Sequence, residues 1–105
     1  MKTDSNNLKF EYLHRDGGNY KIFGSIIIKN IDKISPSKAT LLLEKKLIDA
    51  EYFYPKMAKI PLFEEHTKDS EFFTDWYEFD KFSFTDETAS DSRSIIEFIN
   101  SFEYF

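Results

Sequence analysis

Leu8-Lys9-Phe10-Glu11-Tyr12-Leu13-His14 sets Leu8, Phe10 and Tyr12 on one side of an extended chain and Lys9 and Glu11 on the other. That period of two marks a strand with one buried face. Tyr20 to Lys29 repeats the pattern, and Arg15-Asp16-Gly17-Gly18-Asn19 lies between the two runs. Its glycines take the positive φ that a tight hairpin turn demands, so the two runs are expected to pair as a β-hairpin. Gly24 within the second run suggests a bulge or a close neighbour. Ile26-Ile27-Ile28 suggests burial on both faces near that strand's end.

Downstream, Ser35-Pro36 offers an N-cap followed by proline at the first helical position. Ala39, Leu42, Leu43 and Leu47 then recur at helical spacing, with Lys38, Lys45 and Lys46 off that stripe. This predicts an amphipathic helix ending near Asp49. From Ala50 to Asp75 the pattern is poor: Tyr52, Phe53 and Tyr54 suit a short strand, Pro55 and Pro61 break regularity, and Phe63 to Phe72 has no clean period. A long loop is expected there.

Asp75 to Thr85 is extended in character, with Tyr77 and Phe79 on one parity and Phe82 and Phe84 on the other. A shift of register near Asp80 or Lys81 follows if all four rings are to share a face. Asp91 is read as the cap of a last helix carrying Ile95, Phe98, Ile99 and Phe102 on one side. The expected fold is therefore α+β: a small antiparallel sheet, made of the N-terminal hairpin and a later strand, packed against two helices.

A length of 105 residues suits one domain, 1–105, and 12 Phe, 6 Tyr and one Trp supply an aromatic core. Cysteine is absent, which removes thiol nucleophiles, thiolate metal sites and disulfides and favours a reducing compartment. Met1 to Asn7 is polar and no apolar run reaches the length of a membrane span, so a cytoplasmic protein without membrane contact is expected.

The net charge of −5 is unevenly spread: residues 1–60 hold eleven Lys or Arg against seven acids, and residues 61–105 hold three against twelve. His66 with Glu64, Glu65 and Asp69 has the residue types of a metal site but matches no ligand spacing, so no metal is assigned. Asp75, Glu78 and Asp80 offer carboxylate pairs for acid and base work, which a polar strand face explains more simply. No G-x-S-x-G elbow occurs, and Gly17-Gly18 lacks the downstream Lys and helix of a phosphate loop. Neither catalysis nor a cofactor is expected.

Lys9, Lys21 and Lys29 alternate with Phe10, Tyr12, Tyr20 and Phe23, the ingredients of a stacking platform for single strands. Alternation turns most of those rings inward and the acidic second half repels phosphate, so nucleic acid is disfavoured. The acidic, aromatic run around Trp76 is the better candidate. Glu64, Glu65, Asp69, Glu71, Asp75, Trp76, Tyr77, Glu78 and Asp80 are read as the contact residues for a protein partner with a basic surface, such as a nuclease or toxin.

Tyr20-Lys21-Ile22-Phe23-Gly24, Ile48-Asp49-Ala50-Glu51-Tyr52-Phe53 and Asp75-Trp76-Tyr77-Glu78-Phe79 together resemble a family of small bacterial proteins with no assigned activity. The resemblance implies a bacterial or phage context and three stretches gathered around one surface. The expected function is a non-catalytic binding module: an immunity protein, antitoxin or phage-encoded inhibitor. The alternatives are a small enzyme or ligand-binding protein using His66 and nearby carboxylates, and a homo-oligomeric structural protein.

Overall fold

The computed structural model describes residues 7–15, 21–55, 58–60 and 76–102. Within them lie β1 (Asn7–Arg15), β2 (Lys21–Ile28), α1 (Pro36–Glu44), β3 (Tyr52–Phe53), β4 (Tyr77–Thr85) and α2 (Ile95–Asn100). The four strands form one antiparallel sheet in the order β2-β1-β4-β3, which places the first strand read from the sequence at its centre. An α+β fold with a small antiparallel sheet and two helices is thus present, its sheet widened by the two-residue β3. The hairpin's turn residues 16–20 lie outside the described residues.

β1 and β2 pair one to one from Leu8↔Ile28 to Arg15↔Lys21. Gly24 therefore marks no bulge and simply faces Tyr12. The register break lies in β4 instead: Glu11 pairs with Lys81 and Tyr12 with Phe79, so Asp80 is the extra residue of a β-bulge. This is the shift that the parity of the four rings demanded. It returns Tyr77 and Phe79 to the face that carries Phe82 and Phe84.

Leu8, Phe10, Tyr12 and His14 project from β1 onto the covered face, where all four are buried. Ile26 and Ile28 join them from β2, Tyr77 and Phe82 from β4 and Phe53 from β3. Ala39 and Leu43 of α1, and Ile95, Phe98 and Ile99 of α2, close the same cluster with Phe102, so both helices lie on one side of the sheet. Phe10 is its hub, with ring centroids at 5.0 to 5.9 Å from Tyr12, Phe53, Phe79, Phe82, Phe98 and Phe102. Several of these pairs are tilted or edge-on, an arrangement that suits the ring quadrupoles. All three isoleucines of Ile26-Ile27-Ile28 are buried. The outer edge of β2 at Ile27 is met by a segment whose Ser90 hydroxyl accepts from the Ile27 N–H at 3.0 Å and whose Ser90 and Asp91 N–H groups donate to the Ile27 carbonyl.

Both helix boundaries differ from expectation. α1 starts as read, with the Ser35 hydroxyl accepting from the Lys38 N–H and Pro36 in the first turn, but it stops at Glu44 rather than near Asp49. Lys46 and Leu47 donate to Leu43 and Glu44, three residues back, so the chain tightens out of the α-helix while Leu47 still reaches the core. A bonded turn follows at Ile48-Asp49-Ala50-Glu51, with Asp49 and Ala50 both at positive φ, and it delivers β3 to the sheet edge. The cap of α2 is Ser94 rather than Asp91: Ser94 and Glu97 form a reciprocal capping box. Asp91 instead accepts from the backbone N–H of Arg93 and from its side chain.

Candidate functional site

Of the residues expected to meet a partner, Glu64, Glu65, Asp69, Glu71 and Asp75 lie outside the described residues, as does His66. The remaining four fall in three different environments. Tyr77 is 1% exposed, its ring stacked on Tyr12 at 5.8 Å and edge-on to Phe53 at 6.0 Å, so it is a core residue. Glu78 faces the opposite side of the sheet but is only 7% exposed. Trp76, just before β4, is 42% exposed, and Asp80 stands exposed at the bulge.

Glu78 is occupied within the fold. Arg15 of β1 donates through Nε to Oε2 at 2.9 Å and through Nη2 to Oε1 at 3.1 Å, a bidentate pair. Donating to Glu78, the guanidinium holds its proton more firmly than in an isolated arginine. Tyr52 pairs with Glu78 in the β3–β4 ladder, and the neighbouring charge of Glu51, ahead of its own burial, pushes its hydroxyl pKa up. Lys9 likewise meets Glu87 at 3.7 Å.

These contacts change the meaning of the charge asymmetry. Arg15 and Lys9 belong to the basic half of the chain, Glu78 and Glu87 to the acidic half, and the sheet interleaves them because β1 lies beside β4. Asp91 is committed too. Its carboxyl is held below the usual carboxylate range by the hydrogen bonds of Arg93, whose guanidinium also donates to the Ala58 carbonyl at 2.7 Å and to the Ser101 hydroxyl at 3.1 Å. That arginine lies 5.0 Å over the Phe98 ring, so it ties residues 58–60 to α2. Among the described acids after residue 60, Asp80 and Asp86 are the exposed ones without a structural bond given above.

The described parts of the three sequence stretches expected around one surface each reach the sheet, with a division. The β3 stretch is hydrogen-bonded to the β4 stretch, whereas Lys21 to Gly24 lies on the opposite edge, beyond β1. Phe23 is 63% exposed, on the face away from the helices, rather than inward as most hairpin rings are. Its parity gave the signal, since Ile26 and Ile28 face the core and an odd-numbered residue of a regular β2 must face away.

Among the described residues no group of three or more His, Cys, Asp or Glu side chains is arranged to hold a metal ion. An open hollow of about 190 Å³ is lined by Asn30, Lys33, Ile34, Ser35 and Phe84. Asn30, buried there, spends its amide on the backbone of Ile34 in both directions. Among the described residues no helix is long and apolar enough to cross a membrane. Comparison with protein-family models, with curated proteins and with solved structures gives no match.

Proposed function

We propose that the chain is a non-catalytic protein-binding module of the immunity-protein, antitoxin or phage-inhibitor kind, whose target presents a basic surface. The observation that carries this reading is Trp76: the one tryptophan of the chain is 42% exposed immediately before a strand whose next residue is wholly buried. Tyr77 anchors β4 in the core and thereby fixes where Trp76 sits. A large ring presented from a fixed base loses little entropy on docking, which is why Trp recurs at the centre of interfaces. The exposed Asp80 four residues on, together with the chain's net charge of −5, favours the approach of a cationic surface.

The test is capture of partners from the native host at about 50 mM and about 500 mM salt, followed by titration of the captured protein against wild type, Trp76→Ala and Asp80→Lys. The reading requires a single stoichiometric partner held more weakly at high salt. Trp76→Ala should weaken binding at least ~30-fold, and Asp80→Lys should act mainly through the association rate. A partner whose affinity is indifferent to both substitutions and to salt would sink the proposal.

A further inference from the structure

The opposite edge of the sheet carries a second surface, distinct from that around Trp76. β2 is an edge strand, and half of its free edge is closed: Ile27 and Lys29 bond through Ser90, Asp91 and Ile95. The outward groups at Ile27 fix the phase of the whole strand, because the ladder to β1 is regular from Leu8↔Ile28 to Arg15↔Lys21. Lys21, Phe23 and Ser25 must therefore also aim their N–H and C=O groups away from β1. All three are exposed, and no backbone hydrogen bond from another described residue reaches their outward groups. A row of outward backbone groups with no partner among the described residues, beside an exposed phenylalanine, is a template for another strand.

We propose that this open half of β2 pairs antiparallel with the same segment of a second copy of the chain, on a two-fold axis at Phe23. The residues select that register. Centred on Phe23, each Lys21 falls opposite the partner's Ser25 and about six backbone hydrogen bonds close over the open residues. Centred on Lys21, the ladder would oppose two like charges, which is unfavourable. The Phe23-centred arrangement also places two phenylalanines side by side. Because Phe23 lies beside Leu13 in the β1–β2 ladder, Leu13, Phe23 and their symmetry mates form one apolar row across the joined sheets. The ladder stops at Ile27, where Ser90 and Asp91 already occupy the edge. The contact is short, so the dimer is expected to be weak and dependent on concentration.

Sedimentation from about 1 μM to about 1 mM tests the association, and disulfide trapping tests the register. The mass of wild type should rise toward twice the monomer's with concentration. That rise should be lost in Ser25→Pro, which removes one outward N–H and leaves the bonds to β1 in place. The chain has no cysteine, so Phe23→Cys puts one thiol on the axis, at a Cα separation of about 5.5 Å that a disulfide accepts. It should oxidise to a covalent dimer far faster than Ser25→Cys, whose thiol meets Lys21, while Lys21→Cys combined with Ser25→Cys should link again. A wild-type mass that stays monomeric up to about 1 mM overturns the proposal, and so does equal trapping at positions 23 and 25.

Discussion

Arg15 grips Glu78 with two parallel hydrogen bonds, at 2.9 and 3.1 Å, and in doing so joins the central strand to β4 from the face away from the helices. The two partners are unequally placed: the Glu78 side chain is almost covered, while more than a third of the Arg15 side chain is in water. Removing either therefore has a different consequence. Arg15→Gln leaves a covered carboxylate without its counter-charge, whereas Glu78→Gln leaves a guanidinium that can hydrate and an amide that can still accept from it. Urea denaturation should show the larger loss of midpoint for Arg15→Gln, with unchanged m-value, and the double variant should lie above Arg15→Gln alone. Equal losses from the two single changes would show that the pair acts as an exposed bridge.

Tyr12 gives the protein an alkaline limit. Its hydroxyl is pushed up to about 12, chiefly by burial and secondarily by Tyr77. An unfolded chain ionises the same group near 10, so the folded state binds the extra proton between these values. A raised pKa contributes stability that is complete below about pH 10 and is lost as pH rises toward 12. Stability should fall through that window with a slope of about 1.4 kcal/mol per pH unit from this residue. Tyr12→Phe, measured by denaturation at pH 9, 10 and 11, should flatten the slope by about one proton's worth. An unchanged slope would move the alkaline sensitivity to another group.

The parts of the fold legible in the sequence are those in which local pattern and tertiary packing agree. The alternation of Leu8 to His14 and the opposed parities of Phe79 and Phe82 located the central strand and the bulge, because a buried face permits no other register. Tyr52 and Phe53 were readable as a short strand, but their partner was not, since pairing with Tyr77 and Glu78 spans a segment without period. Asp91 has the residue type of a cap, but so does Ser94, three positions nearer the apolar stripe. What separates them physically is Glu97, three residues after Ser94, which completes the reciprocal box. The candidate site was less legible still. Charges that look segregated along the chain are mixed once β1 and β4 are neighbours: Glu78 loses the free surface that its position implied, and Glu87, still exposed, lies beside Lys9. Nothing local announces that mixing.

Ala50 stores strain that the sequence conceals. It sits at φ 58° beside Asp49 at φ 55°, the two central positions of a turn in which the Glu51 N–H donates to the Ile48 carbonyl at 3.0 Å. An alanine Cβ is disfavoured there by about 1–2 kcal/mol, while glycine adopts the conformation freely at the cost of a looser unfolded chain. Ala50→Gly should therefore raise stability by about 0.5–1 kcal/mol, reversing the usual penalty of glycine. Thermal denaturation resolves such a change in a chain of this size, and a destabilised Ala50→Gly would mean that the turn relaxes its strain elsewhere.

The bulge makes a sharper claim, because it states which single residue the sheet can lose. Asp80 is the unpaired residue between Lys81, opposite Glu11, and Phe79, opposite Tyr12. Deleting it leaves both pairings intact and keeps Tyr77, Phe79 and Phe82 on the covered face, while removing the local twist that a bulge adds. The deleted chain should still unfold cooperatively, with a moderate loss of stability from altered curvature. Deleting Glu11 has no such outlet. It lies in the central strand, paired with Ser25 on one side and Lys81 on the other, so its removal turns either Leu8 and Phe10 or Tyr12 and His14 away from the helices. Loss of Phe10 contacts alone would cost about 3–5 kcal/mol, a large share of what a domain of this size has. Circular dichroism with urea titration should show a cooperative transition for the Asp80 deletion and none for the Glu11 deletion; collapse of both would mean that the bend at Asp80 is itself required for the helices to seat.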